Sequence, residues 1–235
     1  MNKVMKLSIK KLKKKIRDLK KTEYGACWQK EKIVNFEWYE TLFSRTPIIH
    51  EDFMRLLNER RTEIKSVLEI GCGAGIYPIK YKHLFDGIDY TGLDIGQPAI
   101  DFCKKHSSFN FICGDFVTMD FVRTYDMIFT HAVIDHVYDI NSFVLKIVKL
   151  ANRYAYISAY RGYFPELEAH KMRWNNDDGC YYNDISVPEI RKLLLESGLT
   201  EGEFKVRKQE SGMNLSETYA DGLDGFETII EINRK

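Results

Sequence analysis

The fold of this chain is indicated most clearly by the residues Val67-Leu-Glu-Ile-Gly-Cys-Gly-Ala-Gly-Ile76. It runs from an apolar strand pattern into a glycine-rich turn, and a helical pattern follows. Gly71, Gly73 and Gly75 tolerate a positive φ and let a ligand approach the backbone closely. The third glycine falls one residue earlier than in a GxGxxG dinucleotide fingerprint, and the Gly-Lys-Ser/Thr ending of a phosphate-binding loop is absent. The pattern therefore indicates a ligand site that is not built for pyrophosphate.

Acidic residues lie in or just after the first three predicted strands. Asp94 ends the second strand nineteen residues after Gly75, where a carboxylate can accept both ribose hydroxyls of a nucleoside. Asp115 follows the third strand, where a carboxylate can accept the exocyclic amine of adenine. Glu69 lies inside the first motif and can anchor its turn or an ammonium group of the ligand. Three acids suit a positively charged nucleoside and would repel phosphates, which favours S-adenosylmethionine (SAM).

From residue 66 onward, short apolar runs alternate with helical patterns. This predicts an α/β fold: a Rossmann-like, doubly wound, seven-stranded and mainly parallel sheet with an antiparallel edge strand and a helical N-terminal extension. The strands are predicted at Ser66–Ile70, Tyr90–Asp94, Asn110–Cys113, Tyr125–Thr130, Tyr154–Ser158, Glu203–Arg207 and Phe226–Ile232. Helices are predicted at Ile76–Phe85, Gln97–His106 and Ile140–Ala151, with a fourth from a Ser186/Glu189 capping box to a stop at Gly198.

The chain is predicted to have three parts: a basic amphipathic helix over residues 1–21, a helical cap over 22–65, and a catalytic domain over 66–235 with a substrate-loop insertion at 160–185. Residues 1–21 hold ten Lys/Arg and one acid, whereas the rest has a net charge of −8 and is a poor nucleic-acid surface. The basic helix allows contact with an anionic membrane or RNA, and equally allows docking on its own acidic domain. The cap carries aromatic residues that either pack together or close over a ligand: Tyr24, Trp28, Trp38 and Tyr39.

The composition is that of a folded protein, since 44% of the 235 residues are hydrophobic and 29% are charged. No apolar run approaches about 18 residues and the N-terminus lacks a signal-peptide core, so neither a membrane-spanning helix nor export by that route is predicted. The five cysteines are odd in number and contain no CxxC pair, which predicts reduced thiols in a cytoplasmic protein. The oligomeric state is left open.

Taken together, the Glu-Ile-Gly-Cys-Gly-Ala-Gly motif, Asp94 and Gly-Asp115 resemble the class I SAM-dependent methyltransferases over roughly residues 65–160. The resemblance implies SAM as the cofactor and S-adenosylhomocysteine (SAH) as its product. It implies that the glycines line the methionine end, that Asp94 holds the ribose and that Asp115 flanks the adenine with Phe116. The cofactor-binding residues expected on this basis are Glu69, Gly71, Cys72, Gly73, Gly75, Asp94, Ile95, Asp115, Phe116 and His131.

The type of methyl acceptor is predicted from the residues that follow the fourth strand, His131-Ala-Val-Ile-Asp-His136-Val-Tyr-Asp139. This stretch has neither Asn/Asp-Pro-Pro-Tyr nor a Pro-Cys nucleophile, so methylation of nucleic-acid bases of those kinds is disfavoured. Its second half resembles the His-Val-Pro-Asp element of small-molecule O-methyltransferases of the ubiquinone-biosynthesis type, with Tyr138 replacing the proline. A histidine suits proton removal because its pKa of about 6.5 lies near neutral pH. His136 is the first candidate base and His131 the second, and simple packing beside the cofactor is the alternative for both.

The residues of the insertion at 160–185 predict an irregular loop that is polar and aromatic. Long loops in compact domains are usually functional. The insertion's cationic residues could grip a phosphate or carboxylate, and its aromatic residues could stack on a base or sugar. This favours a small anionic acceptor such as a nucleotide-linked or phosphorylated sugar, with a surface-glycan or capsule precursor as an extension. A solvated, locally packed loop is the alternative. The candidate substrate-binding residues are Tyr160, Arg161, His170, Lys171, Arg173, Trp174, Tyr181 and Tyr182.

Three further alternatives concern a metal site and the class of function. Asp135, His136 and His170 could converge on a divalent ion, but they lack a compact ligand motif, so no metal is firmly expected. An RNA methyltransferase would use residues 1–21 as its arm. A non-catalytic binding module would keep the SAM pocket as a scaffold, although the intact motifs argue against that.

Overall fold

The computed structural model describes residues 23–44, 50–210 and 225–234. The basic helix predicted at 1–21 lies outside the described residues. A 3₁₀ turn and three short helices precede the sheet: Ala26–Gln29, α1 (Glu31–Val34), α2 (Glu37–Ser44) and α3 (Glu51–Glu59). In the part of the chain that the structure describes, no helix combines the length and the apolar character needed to cross a membrane.

The central sheet has seven strands in the order β3-β2-β1-β4-β5-β9-β8. Strands β1 to β5 are parallel, and β9 runs antiparallel between β5 and β8. The predicted mainly parallel Rossmann-like sheet with an antiparallel edge is therefore confirmed. The strands span Ser66–Ile70 (β1), Asp89–Asp94 (β2), Asn110–Cys113 (β3), Tyr125–His131 (β4), Ala151–Ala159 (β5), Phe204–Glu210 (β8) and Phe226–Asn233 (β9).

Helices cover both faces of the sheet, so the strands are buried on both sides. Along β1, Leu68 and Ile70 belong to one core cluster and Val67 to the other, as the alternation of strand side chains requires. The carboxyl ends of the parallel strands therefore meet at one edge of a rigid layer. The helices after β1 are α4 (Ile76–Lys80), α5 (Gln97–His106), α6 (Ile140–Leu150) and α7 (Val187–Glu196).

Two predicted helix features differ in detail. The helix predicted at Ile76–Phe85 ends at Lys80, and a 3₁₀ turn at Lys82–Leu84 follows, which brings Leu84 and Phe85 into the core together. At the start of α7 only half of the predicted capping box forms. Ser186 Oγ accepts from the Glu189 amide at 3.1 Å, but the Glu189 carboxylate accepts from the His170 amide instead.

The insertion predicted as an irregular loop contains a β-hairpin, β6 (Lys171–Asn175) and β7 (Cys180–Asp184). The turn Asn-Asp-Asp-Gly179 joins the strands, with Gly179 at φ +64°. Cross-strand pairs such as Trp174 with Tyr181 then stabilise the hairpin, their ring centroids lying 5.1 Å apart. The Asp-Gly pair at 178–179 is typical of a hairpin turn, but the polar residues around it are also typical of an irregular loop.

Candidate active site

The carboxyl ends of β1 to β4 border a cavity of about 920 Å³, including its open mouth. This is the edge at which doubly wound sheets bind ligands. Most of the predicted cofactor residues and both candidate bases line the cavity: Gly71, Gly73, Asp94, Ile95, Asp115, Phe116, His131 and His136. The other three predicted cofactor residues, Glu69, Cys72 and Gly75, do not line it.

Two glycines of the first motif have conformations that other residues adopt only with strain. Gly71 has φ +73°, and a Cβ built there would lie 2.2 Å from Val133 Cγ2. Gly73 has φ +49°, and a Cβ there would meet no atom within 4 Å, so this position is open toward the cavity. Gly71 thus lets the loop after β4 approach the turn, and Gly73 leaves the backbone accessible to a ligand.

We expect Gly71→Ala to abolish measurable SAH binding, because its Cβ and Val133 cannot occupy their present positions together. Adding Val133→Ala should remove the clash and restore part of the affinity, whereas the strain of the positive φ remains. Isothermal titration calorimetry and thermal unfolding of the single and double variants measure both effects. Equal loss in the single and double variants would show that the steric contact is not the cause.

Asp94 closes the turn through both carboxylate oxygens. Oδ2 accepts from the Gly73 amide at 2.9 Å and Oδ1 from the Gly96 amide at 2.8 Å. Burial raises the pKa of Asp94, and the two amide hydrogen bonds oppose that rise. Because a carboxylate has about four lone-pair positions, each oxygen can still accept one hydroxyl from the cavity. The geometry therefore fits a ribose diol.

Glu69 is buried on β1 and accepts a hydrogen bond from the Tyr90 hydroxyl on β2. This contact joins β1 to β2, and the two roles that the sequence left open for Glu69 stay predictions. Burial raises the pKa of Glu69 to about 8, so the folded protein holds a proton that the unfolded chain releases near pH 4.5.

The buried proton of Glu69 predicts that the free energy of unfolding falls as pH rises between about 5 and 8, by at most about 1.4 kcal/mol per pH unit from this group. Glu69→Gln has no proton to lose, so its stability should fall less across that window. Urea denaturation at four pH values measures the two slopes. Glu59→Gln, on the exposed surface of α3, is the control and should keep the wild-type slope. Equal slopes for wild type and Glu69→Gln would contradict this account.

The helical cap covers the cavity opposite the sheet. Its lining side chains are Tyr24, Trp28, Ile33, Trp38, Tyr39 and Leu42. The cap is joined to the hairpin, because the Gly25 amide donates to the Gly179 carbonyl at 2.8 Å and Lys30 Nζ lies 2.7 Å from Asp178 Oδ1. The sequence left two alternatives for the aromatic residues of the cap, packing together or closing over a ligand. Their positions along the cavity favour the second.

His131 ends β4 at the edge of the cavity. Its ring is stacked between His50 and Tyr77, with centroid distances of 4.3 and 4.8 Å. Nδ1 lies 3.1 Å from Ser158 Oγ, and Nε2 is buried without a hydrogen-bond partner among the described residues. Burial, and then the neighbouring His50, lower the pKa of His131 well below 6.5, which keeps the ring neutral at physiological pH. A buried ring nitrogen without a partner is costly unless a ligand supplies one.

Both ring nitrogens of His136 are already engaged by protein groups. Nδ1 lies 2.9 Å from the Tyr181 carbonyl, so it carries the proton and donates. Nε2 lies 3.2 Å from the Tyr160 hydroxyl and therefore accepts in the neutral ring, the form that burial favours by lowering the pKa of His136. His136 thus joins the loop after β4 to the hairpin.

None of the eight predicted substrate-binding residues, all of them described, belongs to the cavity lining. Arg173 binds Asp184 with two hydrogen bonds, the longer 2.8 Å, and the buried Arg161 lies 3.6 Å from the same carboxylate and over the Tyr182 ring. His170 Nδ1 accepts from the Ser186 amide at 2.9 Å, and Lys171 is exposed. The two arginines are not available to an anionic substrate in the cavity because the hairpin places Asp184 beside them.

Tyr138 contributes to the site in a way that sequence reasoning missed. Its hydroxyl donates to Asp115 Oδ2 at 2.7 Å, and the Val117 amide donates to Oδ1 at 2.9 Å. Phe116, next to Asp115, packs edge-on against Phe143 with a centroid distance of 5.3 Å. The only sequence signal for Tyr138 was its departure from the proline of the resembling element.

The candidate metal ligands do not converge. Asp135 is buried and accepts from the amides of Tyr160 and Arg161 at 3.3 and 3.2 Å, while His136 and His170 make the contacts given above. Within residues 23–44, 50–210 and 225–234, no three His, Cys, Asp or Glu side chains are grouped so that they could hold a metal ion.

A glycine turn at the end of β1 and carboxylates at the ends of β2 and β3 border one cavity, which is the arrangement that the sequence predicted for a nucleoside-type cofactor. Residues 68–157 match the family model described as a methyltransferase domain. The plantazolicin methyltransferase, solved with SAH, shares the fold with a TM-score of 0.58 and 14% identity, covering 94% of this chain and 98% of that one. Residues 68–157 therefore form a methyltransferase domain, the chain has the fold of the class I SAM-dependent methyltransferases, and SAM is its cofactor.

Two curated proteins are similar in sequence. Malonyl-[acyl-carrier protein] O-methyltransferase of Priestia megaterium is 24% identical over 71% of this chain. Phthiotriol/phenolphthiotriol dimycocerosates methyltransferase of Mycobacterium tuberculosis is 27% identical over 55% of this chain. The matches span 65% and 46% of the length of those relatives.

Proposed function

We propose that this protein transfers the methyl group of SAM to an oxygen of a small acceptor and that His131 is its general base. The observation that carries the proposal is the Nε2 of His131, a residue of the cavity lining: the atom has no hydrogen-bond partner among the described residues and is covered by the stacked rings of His50 and Tyr77, one of which must shift for an acceptor to reach it. His131 lies at the end of β4, the position at which the Asn/Asp-Pro-Pro-Tyr motif stands in methyltransferases that act on nucleic-acid bases. His136, the first candidate in sequence, has both nitrogens engaged. This contrast favours His131.

Methyl transfer requires the protein to orient the acceptor oxygen toward the methyl group and to accept one proton. SAM, when bound, supplies a methyl group on a cationic sulfur, and the bonding electrons stay with the sulfur as the acceptor oxygen bonds to carbon. His131 Nε2 takes the proton of the acceptor hydroxyl. Its lone pair is available in the tautomer in which Nδ1–H donates to Ser158 Oγ. The lowered pKa of His131 keeps this neutral form populated.

The charges of the lining favour an acceptor whose reacting oxygen lies on a neutral, largely apolar body. The described lining is aromatic and aliphatic apart from Asp94, Asp115, His131 and His136, and it includes no Lys or Arg. A phosphorylated or nucleotide-linked sugar, the acceptor class predicted from sequence, would need a cation from another part of the chain. One curated relative is named an O-methyltransferase, which supports oxygen as the accepting atom.

The test uses methyl-labelled SAM, the purified full chain and an extract of source cells. The extract is fractionated by size, charge and solubility in organic solvent, and the labelled product is treated with alkali. We expect the label in a neutral, low-mass, solvent-extractable fraction. Label released as methanol by alkali would indicate a carboxyl oxygen, and alkali-stable label that boron tribromide cleaves would indicate an ether and therefore a hydroxyl acceptor. Label that resists both treatments would indicate a methylated nitrogen or carbon and would overturn the proposal.

The other outcomes of the labelling experiment are also decisive. Label in RNA would overturn the small-molecule proposal and give residues 1–21 a role as an arm. Label in a low-mass anionic fraction would support the sugar phosphate instead of the apolar acceptor. No transfer, with SAH binding intact, would favour a binding module. Asp94→Ala is the negative control, because it removes the carboxylate that fits the ribose.

A further inference from the structure

We propose that Tyr138 is a positioning residue that makes Asp115 selective for the 6-amino group of the cofactor's adenine. The hydroxyl of Tyr138 donates to Asp115 Oδ2 at 2.7 Å, and the Val117 amide donates to Oδ1 at 2.9 Å. The carboxylate is therefore held from both sides. This inference depends on SAM as the cofactor and is independent of the acceptor.

Tyr138 lies outside the cavity lining and contacts Asp115 from there. Asp115 itself lines the cavity. With each oxygen bonded once to the protein, each still has a lone pair for a donor in the cavity. A purine 6-amine offers that donor, whereas a 6-oxo group would bring an acceptor against an acceptor. A fixed carboxylate distinguishes the two better than a rotating one, because its lone pairs are already oriented.

The phenol is suited to remain the donor in this pair. Burial, and then the hydrogen bond to Asp115, raise the pKa of Tyr138 to about 12, so its hydroxyl keeps the proton at neutral pH. A proline, the residue of the resembling element at this place, has no side-chain donor. The tyrosine therefore adds a function that the resembling pattern does not contain.

The cap holds the ring of Tyr138 in place. Tyr24 lies edge-on against it, with centroids 5.0 Å apart and planes at 85°. The Tyr24 hydroxyl donates to the His136 carbonyl at 3.2 Å, which fixes Tyr24 in turn. Tyr24 itself lines the cavity, so the same pair of rings connects the cap to the adenine-side carboxylate.

The experiment compares the affinities of two ligands by isothermal titration calorimetry on the full chain: SAH, and S-inosyl-L-homocysteine, which has a 6-oxo purine. Tyr138→Phe removes the hydroxyl and keeps the ring. We expect it to weaken SAH about tenfold and to change the affinity for the inosyl analogue less than about twofold, so that discrimination falls. In an Asp115→Asn background the same substitution should cost less than about twofold, since Tyr138 acts through Asp115.

Tyr154→Phe is the matched control. It removes another phenol-to-carboxylate hydrogen bond, 2.7 Å to Glu63 Oε2, on a side chain outside the cavity lining, and should leave both affinities unchanged. Equal weakening of both ligands by Tyr138→Phe would make Tyr138 a support of the cap only and overturn the proposal. Unchanged or tighter SAH binding would overturn it as well. These titrations need no acceptor, so they are separate from any failure of the O-methyltransferase proposal.

Discussion

Replacing Asp94 by alanine is expected to raise the Kd of SAH by at least about 100-fold. The carboxylate is the one acidic group at the tip of β2 that faces the cavity, and it is bonded to the amides of Gly73 and Gly96. Its loss removes the two remaining acceptor positions for a ribose diol and leaves both amides without their partner. Calorimetric titration with SAH measures the effect directly.

Two further variants separate ligand binding from folding in this prediction. Asp94→Asn keeps one carbonyl oxygen and should lose about tenfold in affinity, between alanine and wild type. Asp89→Ala removes an exposed acid paired with Arg123 at the other end of β2 and should leave the Kd unchanged. An Asp94→Ala protein that unfolds at the wild-type temperature and binds SAH with wild-type affinity would remove Asp94 from the cofactor site.

Replacing His131 by asparagine is expected to lower kcat by about 10²-fold or more with a hydroxyl acceptor, because it removes the base. The Kd of SAH should change by less than about threefold, since the predicted loss lies in proton transfer. The measurement is single-turnover methyl transfer to the acceptor identified by labelling. If the acceptor oxygen is already ionised, no proton has to move and the loss in kcat should be small.

His136→Asn is the comparison that assigns the base. The two ring nitrogens of His136 are hydrogen-bonded to the Tyr181 carbonyl and the Tyr160 hydroxyl. Its replacement should therefore lower the thermal unfolding temperature. It should reduce kcat by less than about tenfold, as expected of a group that supports the site without transferring a proton. The opposite result, a loss of about 10²-fold in kcat for His136→Asn and little change for His131→Asn, would return the role to the residue that sequence ranked first.

Local pattern determined much of the fold. Strand β3 and helix α5 have the predicted bounds, Asn110–Cys113 and Gln97–His106, because alternation, helical period and a proline in the first helical turn are encoded in neighbouring residues. The hairpin in 160–185 was missed because its composition is that of a loop, and its strands are stabilised by partners that the sequence does not name.

In the site, four residues at the ends of parallel strands could be predicted from sequence, because their positions depend on spacing along a strand and the turn that follows it: Gly71, Gly73, Asp94 and Asp115. A parallel sheet must bring those ends together, so these side chains meet whatever the rest of the chain does. The contacts of the histidines and arginines, in contrast, could not be predicted without the folded chain. Arg173 is bound to Asp184 because β6 pairs with β7, and Tyr138 to Asp115 because the segment after β4 packs against the segment after β3.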